Sequence, residues 1–270
     1  MKFSKWTGLG NDFILPEPGE DFDLGDGTAE RVMRLCDRRF GIGGDGVVLV
    51  RPLGGLDFEM RIFNADGSEA AMCGNATRCV AKFIHDRGLD KVAGMEPPSH
   101  EYNLHTLSGV VRPKLLEGGL VRVDMGLPRE FLGNVALEAC GNKFDAVTVS
   151  MGNPHAVIFV DDIENVPLEK WGPVLEHDAQ FPDRCNIEFA EVRAPGEIRM
   201  RVWERGCGIT LACGTGSCAT LVAAQKTGRI GKEADIVLDG GVLHDSHVDG
   251  ESVFMTGPAQ EVFRGCILSP

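Results

Sequence analysis

The feature that most limits how this chain can fold is a repeat of itself. Residues 60–74, MRIFNADGSEAAMCG, and residues 200–214, MRVWERGCGITLACG, align without a gap at an offset of 213 − 73 = 140. Met-Arg, an apolar residue, an aromatic residue and a closing Cys-Gly coincide. The register carries on to Gly88 and Gly228, each 15 residues past its cysteine. Only five of these 29 positions are identical, yet they cluster at the aromatic strand, the thiol and the helix stop. Upstream, GLGNDF (8–13) echoes SMGNPH (150–155); downstream, LVRVDMGLP (120–128) echoes SVFMTGPA (252–259). Such a chain folds as two similar halves. The break falls near 115–135, and the halves are expected at 1–118 and 119–261.

Each half has the same coarse pattern. MRIFNA and EIRMRVWER alternate as strands do, and GVVLV, AVIFV, IEFAEV and DIVLD are further short strands. A helix follows each Cys-Gly. In TRCVAKFIHDRG, Cys79, Phe83, Val80 and Ile84 gather on one side before the stop at Gly88. SCATLVAAQKTG is small and apolar almost all round from Cys218 to Ala224, and stops at Gly228. A helix apolar on most faces is enclosed by other structure. The expected fold class is therefore α/β (α+β): two pseudo-symmetric domains, each a mixed sheet or barrel wrapped around a central helix. Residues 16–27 and 94–98 read as loops.

Charge and cysteine content narrow the function classes. Formal net charge is 27 − 40 = −13 over 270 residues, which repels phosphate backbones and argues against nucleic acid. No apolar run approaches 18 residues, so no membrane span is expected. The N-terminus lacks the apolar core of an export signal. Nine cysteines without a C-x-x-C fit free thiols in a reducing cytoplasm. The spacings Cys73–Cys79 and Cys213–Cys218 are not those of zinc knuckles, so no metal is expected.

Each repeat puts a thiol in front of a helix that opens with Gly-Asn-Ala-Thr or Gly-Thr-Gly-Ser. The first turn of a helix offers unpaired N–H groups and the positive end of the dipole. Small residues let a carboxylate approach that backbone. The same field favours thiolate over thiol. Cys73 and Cys213, flanking one carboxylate-bearing carbon, would form an acid/base pair. One sulfur takes the α-proton from one face while the other delivers a proton to the opposite face. The helix N-termini stabilise the carbanion, and no cofactor is required. Cys36, Cys140, Cys185 and Cys266 read as inert buried thiols, Cys79 and Cys218 as helix packing, and Cys207 as non-catalytic. GGDG (43–46) lacks the Lys-Ser/Thr of a phosphate loop and marks a turn before VVLV.

FSKWTGLGNDF, FNADGSEAAMCGNATRC, MGNPHAV, FPDRCNIEF, ERGCGITLACGTGSCA and MTGPAQEVF together resemble the diaminopimelate epimerase family over nearly the whole chain. The resemblance implies a cofactor-independent isomerase of lysine and peptidoglycan biosynthesis, interconverting LL- and meso-diaminopimelate. It also implies two α/β domains with the site in the cleft between them, a C-terminal strand (262–270) returning to the first domain, and a homodimer. By that resemblance Cys73 donates and Cys213 accepts the proton in the LL-to-meso direction. Backbone at Gly74-Asn75 and Gly214-Thr215 holds the reacting carboxylate. Asn11, Asn64, Asn153, Asn186 and Arg205 hold the rest of the amino-acid substrate, and His155 and Glu204 order the reacting centre. Gly46 stands where some members carry Gln, Ala76-Thr77 where Gly is common, and His244 and His247 near a frequent Trp. These departures leave open a racemase of another amino acid, such as proline or histidine. A different class, a non-catalytic amino-acid binder or thiol-redox protein, would bind ligand without exchanging the α-proton.

Overall fold

The computed structural model describes residues 1–20, 22, 24–91 and 100–268. The loop read at 94–98 lies outside the described residues, as do Asp21 and Asp23 within 16–27. The chain divides into two compact units, Met1–Val123 with Gly257–Pro270, and Asp124–Thr256.

The first unit contains β1 (Lys2–Gly8), β2 (Asn11–Pro16), α1 (Thr28–Cys36), β3 (Gly46–Gly54), β4 (Asp57–Asn64), β5 (Glu69–Ala70), α2 (Gly74–Asp86), β6 (Asn103–Thr106), β7 (Gly109–Val111), β8 (Pro113–Leu115) and β9 (Leu120–Asp124). The second contains β10 (Glu130–Ala139), β11 (Asn142–Ser150), β12 (Pro154–Phe159), α3 (Leu168–Glu176), β13 (Asn186–Ala194), β14 (Glu197–Glu204), β15 (Gly208–Thr210), α4 (Gly214–Lys226), β16 (Glu233–Leu238) and β17 (Gly241–His247). The chain leaves it through β18 (Val253–Pro258) and ends in β19 (Gln260–Cys266). The first unit takes in the antiparallel β8–β9 hairpin as far as Val123.

The 140-residue repeat is visible strand by strand. In the first unit the order β19-β1-β2-β3-β4-β6-β7 alternates antiparallel, antiparallel, parallel, antiparallel, parallel, antiparallel. In the second, β10-β11-β12-β13-β14-β16-β17 runs through the same six pairings in the same sequence. The short β5 pairs with β4 as β15 pairs with β14. In this correspondence β19 stands where β10 stands. The last strand of the chain thus completes the first unit, pairing with β1 from Lys2↔Cys266 to Thr7↔Gln260.

Both central helices are enclosed. α4 packs on β11, β12, β13, β14, β16 and β17, and every residue from Gly216 to Ala224 is buried. α2 packs on β1, β3, β8 and β19. It was expected to be apolar on one side, but Gly74 to Ala81 are all buried. Even Arg78 is enclosed, its Nε donating to Pro258 O at 3.1 Å. Each helix stops in the same way. Gly88 (φ 62°) and Gly228 (φ 70°) take the left-handed conformation. The next N–H, of Leu89 or Arg229, reaches back to the carbonyl of Ile84 or Ala224 at 3.0 and 2.8 Å. Beyond α2, the half-buried Arg87 bridges Glu17 at 2.7 Å and Glu261 at 3.0 Å, tying the helix end, the residue after β2 and β19 together.

Candidate active site

Cys73 and Cys213 are the residues immediately before α2 and α4, each extended at its own position (φ −144° and −123°). The helical hydrogen bonds begin at their carbonyls, which accept from Thr77 N at 2.9 Å and Ser217 N at 3.0 Å. The N–H groups of the intervening first turn have no acceptor within the helix.

In the first unit, Cys73 is half-buried, with Sγ 3.8 Å from Asn11 Oδ1. Asn75 Nδ2 donates to the same Oδ1 at 3.3 Å. The Asn11 amide is oriented from behind, where its Nδ2 donates to Asp45 Oδ2 at 2.6 Å. Asp45 also pairs with Arg38 at 2.8 Å. Asp12 pairs with Arg38 at 2.7 Å and with Lys5 at 2.8 Å, and Lys5 also donates to Gly43 O. Burial works to raise the Asp12 carboxyl, but Arg38 and Lys5 outweigh it and hold it at about 2. GGDG is therefore a turn before β3, as expected, and its acid also orients Asn11. Gly8 lets β1 pass close to α2, since a Cβ there would lie 3.1 Å from Asn75 O. Asn64 is exposed and turned toward its own turn, with Nδ2 donating to Ser68 Oγ at 3.0 Å.

In the second unit, Cys213 is buried, and its Sγ accepts from Gly216 N at 3.3 Å and lies 3.6 Å from Thr215 Oγ1. Asn153 Nδ2 donates to Thr215 Oγ1 at 3.2 Å. His155 contacts Asn153 Oδ1 through Nε2 at 3.1 Å and Glu188 Oε1 through Nδ1 at 2.6 Å. Asn186 lies opposite His155 on the neighbouring strand; its Nδ2 donates to Pro154 O at 2.8 Å and its Oδ1 accepts from Arg205 N at 3.0 Å. Glu204 accepts a hydrogen bond from Thr210. Arg205 is exposed and donates to Asp183 O at 3.2 Å.

The electrostatics at Cys213 run against the expectation from the helix dipole. Burial pushes this thiol well above its ordinary value, and the carboxylates of Glu204 and Glu188 push it further. The Thr215 and Gly216 hydrogen bonds oppose this without reversing it. A desolvated sulfur beside two acids is pushed up more than a helix N-terminus lowers it. Burial likewise raises Glu204, with Glu188 adding to it.

Of the thiols expected to be buried, Cys140 and Cys266 are not. Cys36, Cys79, Cys185 and Cys218 are buried, but Cys140, Cys207 and Cys266 are exposed. Cys140 sits in the β10–β11 turn at φ 53°, and Cys266 on the edge strand β19. Two polar groups emerge only from the fold, and the sequence carried a faint signal for each. Asp45 is the one charged residue of GGDG. Glu188 lies in the apolar strand CNIEFAEV, two residues from Asn186 and hence on the same face.

The chain matches the sequence pattern of the family described as diaminopimelate epimerase over residues 3–130 and 147–262. It is 45% identical over 277 residues to the diaminopimelate epimerase of Carboxydothermus hydrogenoformans, covering 98% of each chain. It is 46% identical over 282 residues to that of Nostoc punctiforme, covering 98% of this chain and 99% of the relative. Among solved structures it shares its fold with a predicted epimerase from Pseudomonas aeruginosa, at a TM-score of 0.72 and 16% identity, covering 100% of this chain and 99% of that one. Among the described residues no helix is long and apolar enough to cross a membrane.

Proposed function

The chain belongs to the diaminopimelate epimerase family, and we propose that it interconverts LL- and meso-2,6-diaminopimelate with Cys73 and Cys213 as its acid and base. The observation that carries this reading is the duplication: each unit sets one cysteine directly before its enclosed helix, at equivalent positions of a repeated topology. Such a repeat suits a reaction whose two half-steps are mirror images at one carbon.

In the forward direction the Cys213 thiolate takes the α-proton, breaking C–H and forming S–H. The Cys73 thiol then gives its proton to the other face of the carbanion. Two protons have moved and none is gained or lost, so the enzyme finishes with its thiols in exchanged states, ready for the reverse reaction. The carbanion's charge spreads into the carboxylate. The first-turn amides at Gly74-Asn75 and Gly214-Thr215 are donors suited to that charge. Asn11, Asn153, Asn186 and Arg205, with Asn64, supply polar groups for the remainder of the substrate, and Arg205 suits its distal carboxylate. His155 and Glu204 order the surroundings of the reacting sulfur. The chemistry draws on side chains and backbone amides, with no cofactor, and a cytoplasmic homodimer completes the proposal; equilibrium sedimentation at twice the chain mass checks the latter.

The test is α-hydrogen exchange in D₂O with diaminopimelate. The wild type exchanges and epimerises. Cys73→Ala and Cys213→Ala each fold and each lose epimerisation by at least about 10³-fold. A single variant retaining full turnover would refute the two-thiol assignment. Exchange of another amino acid in preference to diaminopimelate would reassign the substrate.

A further inference from the structure

The two units part company where the repeat sets a helix against an aromatic residue. α1 (Thr28–Cys36) and α3 (Leu168–Glu176) are related by the same offset, 176 − 36 = 140. In the first unit this contact is apolar: Val32 and Cys36 of α1 share a cluster with Phe63. In the second, Trp203 takes the place of Phe63 and Glu176 the place of Cys36. Glu176 is 3% exposed, and its carboxylate is divided between two donors. Oε2 accepts from Trp203 Nε1 at 2.7 Å and Oε1 from Gly206 N at 2.9 Å. Arg184 Nη1 adds a longer contact to Oε1 at 3.3 Å. Burial works to raise this carboxyl, but the Trp203 and Gly206 hydrogen bonds, with help from His177 and Arg184, outweigh it and hold it below its ordinary value. A buried carboxylate satisfied in this way fixes the groups that satisfy it.

What Glu176 grips is the surroundings of Arg205. Trp203 and Gly206 bracket Glu204 and Arg205 in the chain. The Glu176 carbonyl also accepts from Cys185 N at 3.2 Å, beside Asn186, whose Oδ1 takes Arg205 N at 3.0 Å. The indole is itself locked, because a Cβ at Gly172 would lie 2.6 Å from its ring, so α3 rests directly on Trp203. The matching turn of the first unit has Ala65 where the second has Arg205. Both turns close alike, Gly67 N on Asn64 O at 2.9 Å and Cys207 N on Glu204 O at 3.0 Å. In both, the N–H before the glycine or its equivalent is met from a neighbouring segment, Ala65 by Asp45 O at 3.0 Å and Arg205 by Asn186. Glu176 is what the second unit adds, and it adds it to the turn that carries a guanidinium.

We propose that Glu176 is a positioning residue for Arg205: it fastens α3 to both sides of the Glu204–Arg205 turn, so that the guanidinium is set in advance for the distal carboxylate of the substrate. This rests on the reading of Arg205 given above. A turn fixed before binding removes an ordering cost that a loose one would incur. Glu204 is held separately, by Thr210 and by the β14–β15 pairing, so the effect falls on Arg205 and on affinity.

Glu176→Gln keeps the shape but offers an oxygen to only one of the two N–H groups. In the LL-to-meso direction KM rises about tenfold while kcat falls less than about threefold. Arg205→Ala raises KM on its own, and adding Glu176→Gln to it changes KM by less than about twofold, because the clamp has nothing left to position. Hydrogen exchange read by NMR without substrate reports the clamp itself: the Gly206 amide exchanges at least about tenfold faster in Glu176→Gln than in the wild type. Additive KM effects in the double variant, a loss confined to kcat, or an unchanged Gly206 amide each overturn the proposal. If Glu176→Gln does not fold, Trp203→Phe keeps a ring on Gly172 and removes one of the two bonds. A KM rise of about threefold that vanishes in the Arg205→Ala background then supports the proposal, and an unchanged KM overturns it. A wild type whose Gly206 amide is protected but which does not turn over diaminopimelate overturns the substrate reading and leaves the clamp standing.

Discussion

Cys73 and Cys213 occupy equivalent positions in unlike surroundings. Cys73 is half-buried against an amide oxygen of Asn11, whereas Cys213 is 5% exposed with Glu204 and Glu188 holding its proton on. Reactivity toward an alkylating reagent follows the thiolate fraction and access. At pH 7.5 iodoacetamide is therefore expected to modify Cys213 at least about tenfold more slowly than the exposed Cys140, Cys207 and Cys266. Peptide mapping by mass spectrometry measures this, and Cys213 labelling as fast as Cys140 would contradict the upward push of burial, Glu204 and Glu188 on its thiol. The duplicated residue was evident in the sequence because Cys-Gly recurs in register. Its partners Asp45 and Glu188 were not, because each meets its site across the sheet rather than along the chain.

The glycines at the two termini of α4 do different work. Gly228 terminates α4 in the left-handed conformation with open space around it. Gly228→Ala should thus cost roughly 1–2 kcal/mol through backbone conformation alone, read as a lower urea midpoint with activity per folded molecule intact. Gly216→Ala should do the reverse. Its methyl group meets the Glu188 carboxylate and the Cys213 sulfur, so turnover falls on the order of 10²-fold while the unfolding midpoint moves little. Equal losses of stability and activity in both variants would remove the distinction. The helices were legible because Gly88 and Gly228 punctuate them and because 218–224 is apolar all round. α2 was only half legible: Arg78 and Thr77 look solvent-facing until Pro258 and the Cys73 carbonyl are seen to take their hydrogen bonds. The two-residue β5 and three-residue β15 are too short for alternation to register at all.

Over the whole molecule, buried thiols set an alkaline limit. Burial raises Cys36 from 9.0 to about 11 and Cys79 to about 12, and Cys185 and Cys213 move the same way. A group whose folded value lies above its unfolded value contributes stability that is fully present below the unfolded value and lost as pH rises through the folded one. The urea midpoint should accordingly hold steady to about pH 8.5 and fall between about pH 9 and 12. Cys79→Ala should flatten that slope, and a midpoint unchanged at pH 10.5 would contradict the account.

The return of β19 to β1 also bears on how the protein is made. A chain emerging from the ribosome releases its N-terminus first, and contiguous units fold as they appear. Residues 124–256 form such a unit, complete once residue 256 is out. The first unit is born earlier but must wait for residues 260–266, its edge strand, which are made after the whole of the second unit. Until then β1 exposes a row of unpaired backbone groups to any other strand nearby. The half that is translated first is therefore the half that matures last, and β19 acts as its latch.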